Sequence, residues 1–190
     1  MIIKDWKKDV LTIPNFLSLF RLALIPVYIT RYLHAQTEKD YLIAAAILAI
    51  SCLTDLLDGI IARKCNMISN LGKILDPIAD KATQLALLLS LTIRYPVLWY
   101  LVALFVVKEG FQMVAGILLL RKNKILKGAH MAGKICTTVL FLSFLILLLR
   151  PGLSRETVSA ITVVDAAFLV VSFANYIRIF CGKGGQFQDI

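Results

Sequence analysis

Four aspartates lie close together in one stretch of a largely apolar chain, at positions 55, 58, 76 and 80. Asp55 and Asp58 share one face of a helix because of their i,i+3 spacing, and Asp76 and Asp80 do so at i,i+4. A carboxylate inside an apolar helix is costly and marks a functional site by default. Hard divalent cations can neutralise such a set, and two of them can clamp a phosphoryl group. The spacing therefore predicts a two-metal site for phosphoryl chemistry.

The residues between the two aspartate pairs favour a substrate that carries phosphate. Gly59 and Ala62 remove bulk beside the first pair, so that a nucleotide or a metal can approach the backbone. Arg63 supplies a planar donor that suits phosphate, and Gly72 opens the next predicted span without a side chain. Glycine or alanine alone in a membrane helix is usually a packing device, so the prediction rests on the combined pattern.

The composition predicts a polytopic membrane protein. The chain has 190 residues, 59% of them hydrophobic, whereas ordinary globular domains are about 45–50% apolar. At roughly 20 residues per span, this length accommodates six helices and little else. The net charge of +9 is attributed to the positive-inside rule and to anionic lipid rather than to nucleic acid. The four cysteines fit no disulfide or zinc pattern.

The apolar segments predict an all-α fold with six transmembrane helices and a short N-terminal interfacial helix. Residues 1–12, with Trp6 among lysines, are expected to lie on the membrane surface. Residues 13–182 form the predicted six-helix domain, and residues 183–190 form a cytoplasmic tail. The predicted spans are 14–33, 41–61, 72–93, 96–120, 132–149 and 158–180.

The distribution of basic residues predicts the orientation of these spans. With the N-terminus inside, thirteen of the 21 Lys and Arg residues lie in inner segments, five in outer segments and three within spans. This asymmetry places both termini and the loops after the second and fourth spans in the cytoplasm. At about 1.5 Å per residue, all four aspartates then lie within roughly 10–15 Å of the inner interface. The predicted active site therefore faces the cytoplasm.

The aspartate motif resembles the signature of the CDP-alcohol phosphatidyltransferase family. That signature, Asp-x2-Asp-Gly-x2-Ala-Arg-x8-Gly-x3-Asp-x3-Asp, fits this sequence at every fixed position from Asp55 to Asp80. Segments 13–26 and 72–81 also resemble the branch of bacterial phosphatidylglycerophosphate synthases and cardiolipin synthases. The recognisable similarity covers roughly residues 13–135, and the last two spans resemble the family mainly in hydropathy.

The resemblance implies a homodimer in the bacterial cytoplasmic membrane that uses two divalent cations, Mg²⁺ or Mn²⁺. It implies that CDP-diacylglycerol donates its phosphatidyl group to an acceptor hydroxyl and that CMP is released. By position, all four aspartates are metal ligands, and Asp80 is also the catalytic base. The CDP-binding residues implied in the same way are Asp55, Asp58, Gly59, Ala62, Arg63 and Gly72.

The motif leaves the acceptor open. Glycerol-3-phosphate, giving phosphatidylglycerophosphate, needs a basic pocket, and the candidate acceptor-binding residues are Arg21, Lys108, Lys134 and Arg178. A buried ion pair with Glu109 explains Lys108 equally well. Related phosphatidylglycerophosphate synthases show Arg-Glu where this chain has Lys108-Glu109, and Cys136 replaces a second lysine of their Gly-Lys-x-Lys-Thr. The alternatives are phosphatidylglycerol, giving cardiolipin, and another polyol phosphate.

Two other classes of membrane protein use carboxylates within spans. Membrane prenyltransferases pair aspartate-rich motifs with Mg²⁺, but they need more spans and lack this Gly-x2-Ala-Arg-x8-Gly spacing. Ion or proton transporters carry carboxylates near the middle of the membrane. Here the aspartates cluster at one predicted interface, which favours the enzyme over the transporter.

Overall fold

The computed structural model describes residues 12–64, 72–121, 124–127, 130–150, 152–181 and 186–189. Its described part is helical apart from two short strands, which confirms the predicted all-α class. The six helices coincide with the six predicted segments within a few residues. They are α1 (Ile13–Leu33), α2 (Glu38–Lys64), α3 (Gly72–Arg94), α4 (Trp99–Arg121), α5 (His130–Leu149) and α6 (Arg155–Cys181), with a 3₁₀ turn (Pro96–Leu98) before α4. Most of the predicted interfacial segment, residues 1–11, lies outside the described residues.

Capping residues fix the starts of the first two helices. Thr12 caps α1 by accepting a hydrogen bond from the Asn15 N–H, and a proline follows at the second helical position. Thr37 and Asp40 form a capping box at α2, in which Asp40 accepts from the backbone N–H of Thr37, its hydroxyl and the N–H of Gln36. These donors hold the pKa of the Asp40 carboxyl below its usual range, the Thr37 N–H contributing most.

Three helices are long and apolar enough to cross a membrane within the part of the chain that the structure describes. They are Ile13–Leu33, Pro96–Leu119 and Arg155–Phe180, and Gly133–Leu149 is a shorter apolar helix. Helices α2 and α3 carry the aspartates together with several basic residues, which lowers their mean hydropathy. The membrane character of the chain is thus supported, while the count of six crossings stays a prediction.

The chain divides into two compact units, Met1–Ser90 and Leu91–Ile190. In the first unit α1 packs along α2. In the second unit α6 packs against both α4 and α5. Part of the α4–α6 contact is aromatic: Phe111 meets the edges or faces of Phe173, Tyr176 and Phe180 at centroid distances of 5.4–6.2 Å.

Two strands in the second unit were not predicted from the sequence. Strand β1 (Lys124–Lys127) pairs antiparallel with β2 (Gln186–Asp189), with Ile125 opposite Gln188. The sequence predicts a loop and a tail for these two segments. Both are four-residue segments, Lys-Ile-Leu-Lys and Gln-Phe-Gln-Asp, which are too short to give a clear period-2 signal.

A buried carboxyl group joins α5 to α6. Asp165 is fully buried in α6, and its Oδ1 accepts a hydrogen bond of 2.8 Å from the Ser143 hydroxyl on α5. Its Oδ2 is buried without a hydrogen-bond partner among the described residues. Because an unsatisfied buried polar atom is costly, the Ser143 contact is expected to hold the two helices in register.

Replacing Ser143 with alanine should destabilise the protein by about 1–3 kcal/mol, because the buried carboxyl of Asp165 loses a hydrogen-bond donor. Denaturant unfolding in detergent micelles measures this change. Thr162→Val is the matched control, since the buried Thr162 hydroxyl donates to Val158 O within its own helix. Equal stability of the two variants would contradict a bridging role for Ser143.

Candidate active site

Helix α1 presents a buried polar face to the site. Asn15, Ser18 and Arg21 recur every third residue along an otherwise apolar helix, and each is at most 2% exposed. Polar side chains of this kind are stable inside a protein only when they are paired. The partners of Ser18 and Arg21 are the aspartates of α2 and α3.

Arg21 bridges both aspartates of α2. Its Nη2 atom lies 2.5 Å from Oδ1 of Asp55 and 2.7 Å from Oδ2 of Asp58. Asp58 is buried, whereas the side chain of Asp55 is 45% exposed. The i,i+3 spacing on α2 lets one guanidinium reach both carboxylates. Arg21 therefore holds the pair together and leaves one carboxylate open to an approaching substrate.

Ser18 connects α1 to α3 in the way that Arg21 connects α1 to α2. Its hydroxyl lies 2.5 Å from Oδ1 of Asp76 and 3.1 Å from the Pro14 carbonyl oxygen. One hydroxyl proton serves one acceptor at a time, and the hydrogen bond to an ionised carboxylate is the stronger of the two. Ser18 thus orients Asp76, and α1 links the aspartates of both neighbouring helices.

Asp80, the fourth aspartate, lies in the same charged region as the other three. The charge of Asp76 acts on Asp58, and the charges of Asp55 and Asp80 both act on Cys52, which lies one turn before Asp55. Asp80 is partly buried on α3. Four carboxylates from two helices therefore gather in one region, with the guanidinium of Arg21 beside two of them.

The non-acidic positions of the motif lie on the same helices. Gly59 lies in α2 one residue after Asp58, and Gly72 is the buried first residue of α3. Ala62 and Arg63 belong to the last turn of α2, and their side chains lie outside the described residues. The predicted contact of Arg63 with phosphate therefore stays a prediction.

The other predicted acceptor-binding residues lie in the second unit. Lys108 is 2% exposed on α4, and its Nζ lies 2.6 Å from Glu109 and 3.3 Å from Gln112. The ion-pair alternative for Lys108 is therefore observed. Lys134 at the start of α5 and Arg178 in the last turn of α6 are exposed. Their role in acceptor binding stays a prediction, as does that of Arg21, whose observed partners are aspartates.

The carboxylates suit a divalent cation by their chemistry. All four offer hard oxygen ligands of the kind that Mg²⁺ and Mn²⁺ prefer. Across the described residues, however, no three His, Cys, Asp or Glu side chains converge closely enough to hold a metal ion. Arg21 occupies the position between Asp55 and Asp58, so metal ligation requires this guanidinium to give up at least one contact.

Sequence reasoning missed Ser18 as a site residue. It assigned Arg21 to the acceptor, whereas the structure pairs Arg21 with Asp55 and Asp58. A signal for both was present, because polar residues at three-residue intervals interrupt the apolar sequence of α1. Such a periodic polar face in a membrane helix indicates a buried polar partner.

Comparison with known proteins identifies the class. A family model described as CDP-alcohol phosphatidyltransferase matches residues 11–174. The match covers most of the chain and includes all four aspartates, so the chain belongs to the CDP-alcohol phosphatidyltransferase family. The resemblance inferred from the motif is thereby confirmed, and the protein is a membrane transferase of phospholipid biosynthesis.

The individual relatives are named for two different enzyme activities. The chain is 36% identical over 146 residues to a cardiolipin synthase (CMP-forming) of Streptomyces coelicolor, covering 75% of this chain and 67% of that protein. It is 30% identical over 175 residues to a CDP-diacylglycerol–glycerol-3-phosphate 3-phosphatidyltransferase of Aquifex aeolicus, covering 87% of this chain and 94% of that protein. A probable phosphatidylglycerophosphate synthase of Mycobacterium tuberculosis is 30% identical over 170 residues, covering 86% of this chain and 78% of that protein.

Replacing Arg21 with methionine should lower the free energy of unfolding by about 3–5 kcal/mol, because it leaves adjacent carboxylates without their buried counter-charge. Thermal and denaturant unfolding in detergent without divalent cations measures the loss. Arg31→Met on the exposed last turn of the same helix is the control and should change stability by roughly 0.5 kcal/mol or less. A variant at position 21 that is as stable as this control would exclude Arg21 as the essential counter-charge.

Proposed function

We propose that this protein transfers the phosphatidyl group of CDP-diacylglycerol to the 1-hydroxyl of glycerol-3-phosphate, forming phosphatidylglycerophosphate and CMP. The observation that carries the proposal is the gathering of Asp55, Asp58 and Asp76 around Arg21 and Ser18 in a chain of this family. The match to the Aquifex aeolicus glycerol-3-phosphate 3-phosphatidyltransferase, which extends over 94% of that protein, supports this acceptor.

The α2 and α3 residues are assigned to the donor. Asp55, with its partly exposed side chain, lies at the open side of the site and would meet the cytidine diphosphate. Gly59, Ala62 and Gly72 leave space for the nucleotide, and Arg63 would donate to its phosphates. The nucleotide is water-soluble and the diacyl tail is not, so a site at the membrane interface lets both parts of the donor stay in their own phase.

Asp55, Asp58, Asp76 and Asp80 would hold two divalent cations, Mg²⁺ or Mn²⁺. When bound, these ions would neutralise the pyrophosphate of the donor and the charge that develops on departing CMP. The chain's own contribution is to position the carboxylates. Arg21 holds the α2 pair together and Ser18 orients Asp76, and Arg21 would release at least one carboxylate when the cations bind.

Asp80 is assigned as the base of the transfer. The acceptor oxygen forms a bond to the phosphorus that carries the diacylglycerol, and the bond from that phosphorus to the CMP oxygen breaks. The proton of the acceptor hydroxyl passes to the Asp80 carboxylate. Asp80 lies one helical turn beyond Asp76 on α3, so the base and a ligand share one face of the helix.

The setting of the reaction is part of the proposal. Six crossings would place the aspartates at the cytoplasmic face of a bacterial inner membrane, and the long apolar helices together with the surplus of basic residues in the predicted inner loops support this orientation. A homodimer is proposed from the family resemblance. Of the acceptor-binding candidates, the exposed Lys134 and Arg178 are better able to bind a soluble phosphate than Lys108 and Arg21, which are already paired with carboxylates.

Phosphatidylglycerol is the second candidate acceptor, which would make the product cardiolipin. The observation that favours it is the 36% identity to the Streptomyces coelicolor cardiolipin synthase over 146 residues. The donor site would be the same for both reactions. The difference lies in whether the acceptor hydroxyl reaches Asp80 from water or from the bilayer.

An acceptor screen tests the proposed function. The purified protein with CDP-diacylglycerol and Mg²⁺ or Mn²⁺ should release CMP with glycerol-3-phosphate, and this release should stop when the cations are chelated. Parallel reactions contain phosphatidylglycerol, inositol phosphate or serine. Faster release with phosphatidylglycerol would replace the first candidate by the second, and no release with any acceptor would overturn the enzyme assignment.

Replacing Asp80 with asparagine should lower the rate of CMP release at least about 100-fold, because general-base catalysis contributes roughly 10²–10⁴-fold. Binding of CDP-diacylglycerol, measured by titration calorimetry in detergent, should be weakened far less. Asp165→Asn in α6 is the control, since it makes the same change in a buried carboxyl outside the motif. Retention of most of the activity by the Asp80 variant would remove Asp80 as the base.

A further inference from the structure

A cavity of about 410 Å³ lies in the second unit, away from every residue of the aspartate motif in the sequence. It is formed where α3 ends and the 3₁₀ turn begins on one side, and where α6 begins on the other. Its lining combines two arginines, a tyrosine and a serine with four apolar residues. These residues are Arg94, Tyr95, Pro96, Val97, Leu153, Arg155, Val158 and Ser159.

The lining is positively charged. Arg94 and Arg155 contribute two guanidinium groups, and no Asp or Glu is found among the described residues that line the cavity. Each guanidinium has five N–H donors and suits the geometry of a phosphate, so a guanidinium with an internal partner can still donate to an anion. Glu156 is exposed at the next position of α6 and is not part of the lining. The cavity is therefore built to receive a negative charge.

The start of α6 adds to this positive potential. Arg155 is the first residue of a 27-residue helix, whose N-terminus carries a partial positive charge. Ser154 caps the helix, its hydroxyl accepting from the Thr157 N–H at 3.2 Å and its carbonyl accepting from the Val158 N–H at 3.1 Å. The N–H groups that precede these in the first turn are the ones that face an approaching anion.

The apolar half of the lining and its surroundings favour a lipid over a free anion. Val97, Leu153 and Val158 offer an apolar surface beside the arginines. Trp99 and Tyr100, directly after the 3₁₀ turn, are 56% and 79% exposed, as is typical of aromatic residues at a membrane interface. An anionic lipid can contact the arginines through its headgroup and the apolar residues through its acyl chains.

We propose that this cavity binds the phosphodiester headgroup of an anionic phospholipid. Arg94 and Arg155 donate to the phosphate, and the adjacent apolar residues contact the upper part of the acyl chains. In the predicted topology both arginines belong to outer segments, so the lipid would come from the leaflet opposite the aspartates. This site does not depend on the proposed reaction, because none of its residues belongs to the aspartate motif.

Native mass spectrometry of the purified protein in a neutral detergent tests this proposal. Phosphatidylglycerol, phosphatidylcholine and inorganic phosphate are titrated separately, and the bound fraction gives an apparent Kd for each. We expect phosphatidylglycerol to bind more tightly than phosphatidylcholine. The double variant Arg94→Gln/Arg155→Gln should weaken phosphatidylglycerol binding about tenfold, in keeping with the loss of charge-assisted hydrogen bonds.

The double variant Arg31→Gln/Arg150→Gln is the matched control, since it removes two exposed arginines that do not line the cavity. It should bind phosphatidylglycerol like the wild type. Arg155→Lys keeps the charge but loses the planar fork, so it should fold normally and show an intermediate affinity. An equal loss in the control would mean general surface attraction and overturn the site. Binding of inorganic phosphate as tight as that of phosphatidylglycerol would overturn the lipid assignment.

Discussion

The contact of one guanidinium with two carboxylates determines how the helices of the first unit pack at the aspartate motif. The attraction between Arg21 and Asp58 is strong because both side chains are buried and water screens it little, and for the same reason neither of these two is tolerated alone. Helix α1 must therefore lie against α2 at the level of the aspartates. Ser18, one turn earlier, then falls beside Asp76 of α3. The buried ion pair and the Ser18 hydrogen bond together link three helices.

The charges of the aspartates and Arg21 are also relevant to the proposed phosphoryl transfer. Arg21 contacts two of the four carboxylates, Asp55 and Asp58, and the two proposed divalent cations would neutralise carboxylate charge together with the phosphates of the donor. Phosphoryl transfer needs positioning and charge neutralisation more than it needs covalent help. Helix α1 already holds three of the aspartates before a substrate binds, and the proposed divalent cations would supply the charge neutralisation.

The helices could be predicted from the sequence because each contains a mainly apolar segment bounded by polar residues, proline or glycine. Pro14 at the start of α1 and Gly72 at the start of α3 fall at or next to the predicted boundaries. The aspartate motif could be predicted because its spacing follows the helical repeat. The partner of Arg21 could not, since depth along a helix does not give the direction of a side chain. Asp165 was overlooked for a related reason: a single carboxylate has no spacing pattern, and its partner Ser143 lies 22 residues away. The pairing of β1 with β2 depends on contacts across more than 50 residues, which local periodicity does not report.

The pairing of β1 with β2 limits how the helices of the second unit can cross a bilayer. Strand β1 precedes α5 and β2 follows α6, yet the two strands are hydrogen-bonded neighbours. The chain must return to the side from which it left, so α5 and α6 together make an even number of crossings. Helix α6 has the length and apolar character of a span, and α5 is the shorter apolar helix of the two. If α6 crosses, α5 crosses as well, and this parity follows from backbone hydrogen bonds without reference to the distribution of charged residues.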